Sequence, residues 1–211
     1  MSAKLQLPRI YPITDTQISG ISHLEQVKKL ILGGATMIQL RDKRATPADF
    51  YKAAKESVKH AREHGVLVIV NDRVDVAMAA GADGVHLGQD DMPVKAARYI
   101  LGDDAIIGVS THSVEQAREA LSLPVDYIAA GPIFDTGTKD LADRVIGIEG
   151  LRMVRAAIGP FNLVAIGGID EKNLQQVLSS GVDSVAMISG VIREAGTIEG
   201  KMRILSSLLS K

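Results

Sequence analysis

The sequence predicts an α/β protein folded as one (β/α)8 barrel spanning residues 1–211. Three observations carry that prediction. Eight apolar runs of strand length alternate with helix-periodic segments along the whole chain. No linker or low-complexity stretch divides it. Polar residues follow nearly every apolar run, as they do where barrel strands open onto a site. The main competitor is a doubly wound open sheet. It needs a glycine-rich turn after its first strand, and "PITDTQISG" is not one.

The first strand is "RIYPIT", which leaves Thr14 and Asp15 at its end. A helix follows, with "SHLE" placing an acid three residues after the capping hydroxyl of Ser22. Leu24, Val27, Leu30 and Ile31 share its apolar face, and "LGG" ends it. The second strand, "TMIQLR", begins apolar and then alternates Gln39, Arg41 and Lys43. A side-chain period of two puts those three on one face. "TPAD" opens the next helix from Thr46, with Pro47 in the tolerated first turn, and "EHG" closes it.

The third strand, "LVIVND", leaves Asn71, Asp72 and Arg73. The fourth, "GVHLG", leaves Gln89, Asp90 and Asp91. The fifth, "AIIGVS", leaves Ser110, Thr111 and His112 before a helix capped through "SVEQ". The sixth, "YIAAGP", runs into "GPIFDTGTKDLADRVIGIE", residues 131–149, which is long for a βα connection and suits a lid or binding loop. The seventh, "LVAIGG", leaves Gly167 and Gly168, and Leu174, Val177 and Leu178 mark the helix after it. The eighth, "SVAMIS", leads into a short helix with Ser189 near its start. "AAGADGVHL" and "SSGVDSVAMI" read as one αβ turn used twice: a glycine ends the helix and an aspartate precedes the strand.

Composition narrows the function classes. Hydrophobic residues are 46%, ample for a core, and the formal charge of -1 speaks against a nucleic-acid or polybasic membrane surface. Aromatic residues are 3%, too few for base-stacking platforms. The chain has no cysteine, which excludes disulfides and thiolate metal sites. The N-terminus shows no signal-peptide core, and no apolar run reaches the roughly 18–20 residues of a membrane span. A soluble, cytoplasmic protein with small-molecule partners is expected; the oligomeric state stays open.

The strand ends then suggest two anion sites. Glycines after the seventh strand and the short helix after the eighth make the usual phosphate cradle of a barrel. Asp72 and Asp91, with Lys43 beside them, suit either a hard divalent cation such as Mg2+ or an ion-pair network. Arg41 suits a ligand contact and equally a brace behind Asp72 or Asp91. Thr136, Gly137, Thr138 and Lys139 offer hydroxyls, amides and a cation to an anionic ligand. His23, His60 and His64 fall on helix patterns and are expected in solvent. His86 is expected as a hydrogen-bonded core residue, and His112 as a neighbour of a helix cap. No histidine pair has metal-ligand spacing, and no Ser-His-Asp arrangement is legible.

Eight stretches, in order and in register, resemble the thiamine-phosphate synthase family. They are "YPITD", "IQLRDK", "VIVNDRVDVA", "GADGVHLGQDD", "IIGVSTHS", "DYIAAGPIFDTGTK", "AIGGI" and "SGVI". The resemblance implies a TIM barrel and a transferase. It would join an aminopyrimidine methyl diphosphate to a carboxylated thiazole phosphate, giving thiamine phosphate, pyrophosphate and CO2 by a dissociative, Mg2+-assisted route. Carried over by motif, Gln39, Arg41, Lys43, Asn71, Ser110 and Lys139 resemble the diphosphate-substrate contacts, with Lys43, Ser110 and Lys139 as the catalytic ones. Asp72 and Asp91 resemble the Mg2+ ligands. Thr136, Thr138, Gly168, Ile188 and Ser189 resemble the thiazole-phosphate contacts. The related thiazole tautomerase carries a histidine where this chain has Pro132, which cannot carry a proton. A non-catalytic phosphate-binding barrel competes with these two readings, as does a phosphosugar isomerase or epimerase on the same fold. After Lys139 the chain departs from the family pattern: "DLADRVIGIEG" carries Asp143 and Arg144 where small residues or prolines are usual.

Overall fold

The computed structural model describes residues 5–136 and 144–208. Eight parallel strands close into a barrel in chain order, the eighth pairing with the first. They are β1 (Ile10–Thr14), β2 (Met37–Leu40), β3 (Leu67–Asn71), β4 (Gly84–Leu87), β5 (Ile106–Thr111), β6 (Tyr127–Ala130), β7 (Leu163–Ile166) and β8 (Ser184–Met187). The outer helices are α2 (His23–Leu32), α3 (Pro47–Glu63), α4 (Val74–Ala80), α5 (Val94–Leu101), α6 (Val114–Ala120), α7 (Gly147–Ile158), α8 (Leu174–Leu178) and α10 (Ile198–Ser207). Two short helices lie in the loops after the first and eighth strands, α1 (Thr16–Ser19) and α9 (Ser189–Ile192). Among the described residues no helix is long and apolar enough to cross a membrane.

Strands buried on both faces explain why the sequence reads as near-continuous apolar runs. The two faces still separate by the period of two. Ile10, Ile38 and Leu40 pack outward against helices, while Tyr11, Ile13 and Met37 pack inward with Ile69, Tyr127, Ala129, Val164 and Ala186. Tyr127 fills much of that interior. A Cβ added at Gly108 would lie 2.0 Å from its ring, so β5 has to carry a glycine there.

The caps form locally, as the sequence indicates. Ser22 and Glu25 make a full capping box, and Thr46 and Ser113 each accept the amide three residues on. The repeated αβ turn has a physical basis. The carboxylates of Asp83 and Asp183 accept amides at the start of the preceding strands, from Val68 (2.7 Å) and Leu163 (2.8 Å). Asp126 does the same for Ile107 at 2.8 Å, a third instance that its sequence hides because Pro124 stands where the other two turns have glycine. Arg155 binds the Asp183 carboxylate and Arg98 that of Asp126. All three turns lie at the N-terminal end of the barrel, away from the strand ends that open onto the mouth.

The strand reading of the second run needs a correction. β2 stops at Leu40. The period of two therefore places only Gln39; the loop that follows places Arg41 and Lys43.

Asp183→Ala deprives the buried Leu163 amide of its acceptor and Arg155 of its carboxylate, leaving that arginine the carbonyls of Gly159 and Phe161. It should lower unfolding stability by about 1–2 kcal/mol, part of the ion pair being screened by solvent. Urea unfolding checks the loss, and ligand affinity at the opposite mouth should not change.

Candidate functional site

The C-terminal strand ends enclose a cavity. Its deep end is apolar on one side, with Ile13, Ala129, Ile166 and Ala186, and carries Gln39, Asn71, His86 and Ser110 on the other. It widens into a charged mouth with Asp15, Arg41, Lys43, Arg44, Lys172 and Arg193.

The polar residues at the deep end are joined by one chain of hydrogen bonds. Gln39 Nε2 donates to the Tyr11 hydroxyl at 3.0 Å, and the Tyr11 and Tyr127 hydroxyls are 3.2 Å apart. The Tyr127 hydroxyl lies 3.0 Å from His86 Nδ1, and His86 Nε2 lies 2.9 Å from Ser110 Oγ. Burial pushes both phenols above their ordinary pKa, so both keep their protons. His86 is thus hydrogen-bonded as expected, and it also faces the cavity, which its position inside a strand did not disclose.

The acids gather in the loops after β3 and β4. Asp72 ends β3 in a left-handed conformation (φ 63) that aspartate tolerates better than most side chains. Its amide donates to the carbonyl of His86 at 2.8 Å, which holds the bend against β4. Its carboxylate meets Lys43 Nζ at 2.6 Å and faces Asp91. Burial pushes the Asp72 carboxyl above the usual range; Lys43 draws it down, and Asp91 adds to the rise. Asp91 accepts the Gly88 amide at 2.6 Å, a loop contact that turns it inward. Lys43 is 53% exposed along its side chain and Asp72 19%, so the pair stands at the rim.

Arg41 braces neither Asp72 nor Asp91. It pairs with Asp15, which also caps α1 through the amides of Gln17 and Ile18. The reason is placement: Asp15 and Arg41 both leave the ends of the paired strands β1 and β2.

The expectation for His23 also fails. It is 2% exposed, since the first turn of α2 points it back at the barrel rather than along the helix face. Its Nδ1 meets Thr14 Oγ1 at 2.7 Å and its Nε2 meets Asp42 Oδ2 at 3.3 Å. Thr14, fully buried, gives this Thr-His-Asp chain no access to a ligand. Asp42 in turn accepts the amides of Arg44 and Ala45, so the chain clamps the loop that carries Arg41 and Lys43. Burial lowers the pKa of His23, partly opposed by Asp42.

On the far side, Thr136, Gly168, Ile188 and Ser189 line the same cavity. Gly168 adopts φ 67, and a Cβ there would lie 2.7 Å from the carbonyl of Asp135. This close approach seats the loop after β7 against the loop after β6. Gly137, Thr138, Lys139 and Asp143 lie outside the described residues. Two groups are therefore brought together: Gln39, Asn71 and Ser110 inside the cavity, and Lys43, Asp72 and Asp91 above them. Thr136, Gly168, Ile188 and Ser189 face them across the opening. The residues sequence reasoning missed are Tyr11 and Tyr127 behind the cavity wall, His86 on it and Asp15 beside Arg41.

The thiamine monophosphate synthase family model matches residues 10–191. A thiamine-phosphate synthase of Clostridium novyi is 42% identical over 201 residues, covering 95% of this chain and 98% of that protein. One from Methanoregula boonei is 47% identical over 184 residues, covering 87% and 85%. The solved thiamine phosphate pyrophosphorylase of Pyrococcus furiosus matches with a TM-score of 0.85 at 38% identity, over 96% of this chain and 97% of that one.

The buried His23 carries a pH dependence. Its folded pKa lies below the unfolded value of about 6.5, so below that pH the unfolded chain takes up a proton that the fold resists. Stability is fully present above about pH 6.5 and falls as pH drops through it. Between about pH 7.5 and about pH 5.5, urea unfolding should show a larger loss for the wild type than for His23→Gln. Equal losses would mean that the ring titrates alike in both states.

Proposed function

Because the chain belongs to the thiamine monophosphate synthase family, we propose that it couples 4-amino-2-methyl-5-hydroxymethylpyrimidine diphosphate to a carboxythiazole phosphate. The products are thiamine phosphate, pyrophosphate and CO2. The observation that carries the reading is the sequence of groups along one cavity. An amide and a hydroxyl line its deep end, a lysine lines its mouth and binds Asp72, which faces Asp91 beside the opening, and a glycine-bearing loop pair lines the same cavity.

Gln39 and Ser110 offer hydrogen bonds to a flat polar ring seated among Ile13, Ala129 and Ile166. Asn71 and Lys43 then lie where the diphosphate would leave the ring. Asp72 and Asp91 fit a hard cation by their donor chemistry. Two carboxylates face one another with one lysine on Asp72, and the Asp72 pKa rises chiefly through burial, with Asp91 adding to the rise. Among the described residues no group of three ligating side chains forms a closed metal site. That suits Mg2+, which takes one or two carboxylates and completes its shell with substrate phosphate and water. When bound, Mg2+ would supply Lewis-acid stabilisation of the departing diphosphate.

The protein's own part is positioning and charge. Lys43 can turn from Asp72 to the diphosphate oxygens as charge builds on them. The family resemblance assigns Lys139, which lies outside the described residues, to the same group. The aminopyrimidine's amino group feeds the cation left behind, so the barrel needs no nucleophile. Gly168 and the start of α9 at Ser189 would hold the thiazole phosphate by close amides, which aims the thiazole nitrogen at that cation.

The deciding assay supplies both substrates and Mg2+ and follows pyrophosphate release together with thiamine phosphate formation. EDTA should abolish turnover, and Mg2+ should restore it. Asp91→Asn keeps an acceptor for Gly88 but removes the charge. It should cut kcat by at least about 100-fold with little change in thermal stability; an undiminished rate would remove Asp91 from the metal site. Lys139→Ala should weaken the pyrimidine diphosphate or slow its departure by a similar order, roughly 10- to 100-fold. An effect confined to the thiazole phosphate would reassign that lysine.

A further inference from the structure

We propose that the buried chain Gln39–Tyr11–Tyr127–His86–Ser110 is a one-way hydrogen-bond relay. Its polarity presents the Gln39 carbonyl and the Ser110 hydroxyl proton to the substrate. Tyr11, Tyr127 and His86 are then positioning residues that select an amino-substituted pyrimidine. The proposal rests on the reaction assigned above for its ligand, and on the geometry alone for its direction.

The direction follows from counting protons. Gln39 Nε2 donates to the Tyr11 oxygen at 3.0 Å, so the single Tyr11 proton has to find another acceptor. The Tyr127 oxygen lies 3.2 Å away. If Tyr127 accepts there, its own proton goes to His86 Nδ1 at 3.0 Å. The imidazole then carries its proton on Nε2 and donates to Ser110 Oγ at 2.9 Å. The Ser110 proton is left for the cavity. A mixed order, with Tyr127 donating back to Tyr11, buries the Tyr11 O–H without an acceptor among these groups. Both phenols are at most 1% exposed, so water cannot relieve that cost. A full reversal would require the Gln39 amide to flip.

This direction separates the cluster from a nucleophile relay that it resembles in distances. In a serine–histidine–acid relay the ring accepts the serine proton at one nitrogen and donates from the other to a carboxylate. Here a proton-bearing phenol stands behind Nδ1, so the ring has no vacant nitrogen for the Ser110 proton. Ser110 can donate to a ligand and cannot be activated as a nucleophile. That agrees with a reaction driven by departure of a diphosphate.

The same direction sets specificity. With one N–H held by Tyr11, Gln39 keeps its carbonyl and its second N–H. That acceptor–donor pair fits an exocyclic amino group beside a ring nitrogen. A 4-oxo pyrimidine would set its carbonyl against that of Gln39. The flipped amide of the reversed relay would tolerate the 4-oxo ring instead.

Two measurements on the full chain test the relay. The first needs no substrate. Long-range 1H–15N correlation on 15N-histidine-labelled protein at about pH 8, well above an ordinary histidine pKa, reads the tautomer of His86. The resonance is assigned by its loss in His86→Asn. A proton on Nε2 alone is expected; a proton on Nδ1, alone or with Nε2, overturns the proposal. The second compares the 4-amino and 4-oxo pyrimidine diphosphates. The wild type should bind the 4-amino diphosphate at least about 100-fold more tightly than the 4-oxo one, affinity being read because the amino group itself also drives the chemistry. Tyr127→Phe retains the ring that fills the space over Gly108 but breaks the relay. It should shrink that preference by about tenfold or more, and an unchanged preference overturns the proposal. Tyr11→Phe serves in its place if Tyr127→Phe does not fold. If the wild type turns over neither diphosphate, the assigned reaction fails, while the tautomer still decides the direction of the relay.

Discussion

A barrel of eight strands has to fill its own interior, and two tyrosines set the terms for how this one does so. Tyr11 and Tyr127 meet edge to face, with centroids 6.0 Å apart and planes at 84°. The contact gives the interior its apolar bulk, and it holds two hydroxyls where water cannot reach them. Those hydroxyls need partners. The partners they draw in, Gln39 and His86, with Ser110 beyond, are the polar floor of the cavity. Packing demand and site polarity are therefore one constraint, and Gly108 is the residue that gives way to both.

Above that floor the charges are shared out by geometry. Arg41 and Asp15 leave adjoining strand ends and pair with each other, with Asp15 capping α1 in the same place. That leaves Lys43 for Asp72, and Asp72 for Asp91. The Thr14–His23–Asp42 chain anchors the loop from which both cations project. At the opposite end, Asp83, Asp126 and Asp183 tie each strand to its neighbour through backbone amides. The aspartates of the αβ turns lie at one end of the barrel and the candidate site at the other, as the fold's geometry allows.

What the sequence discloses depends on the distance over which each interaction acts along the chain. Ser22, Thr46 and Ser113 are legible as caps because donor and acceptor lie three residues apart. The αβ turn is legible at Asp83 and Asp183, where a glycine and an aspartate stand in a fixed short pattern. It is hidden at Asp126, where only the carboxylate remains. Gln39 is placed correctly by the strand period, but Arg41 and Lys43 are not, since β2 ends one residue before Arg41. His23 is misread because a helix-face argument ignores that the first turn of α2 abuts the barrel wall. Tyr11 and Tyr127 are 116 positions apart, and nothing local announces their contact.

The sequence by itself determines the alternation of eight strands with helices, and with it the closed barrel. It also determines that polar groups crowd the strand ends, because periodicity, caps and turn glycines are local and act through backbone geometry. Only the tertiary structure decides which of those groups meet. It gives Arg41 to Asp15 rather than to Asp72, buries His23, turns Asp72 into a left-handed bend facing Asp91, and threads five side chains from five strands into one hydrogen-bonded chain. Each of these depends on bringing distant strands side by side, and burial then obliges most polar atoms to take whatever partner the closed barrel sets beside them.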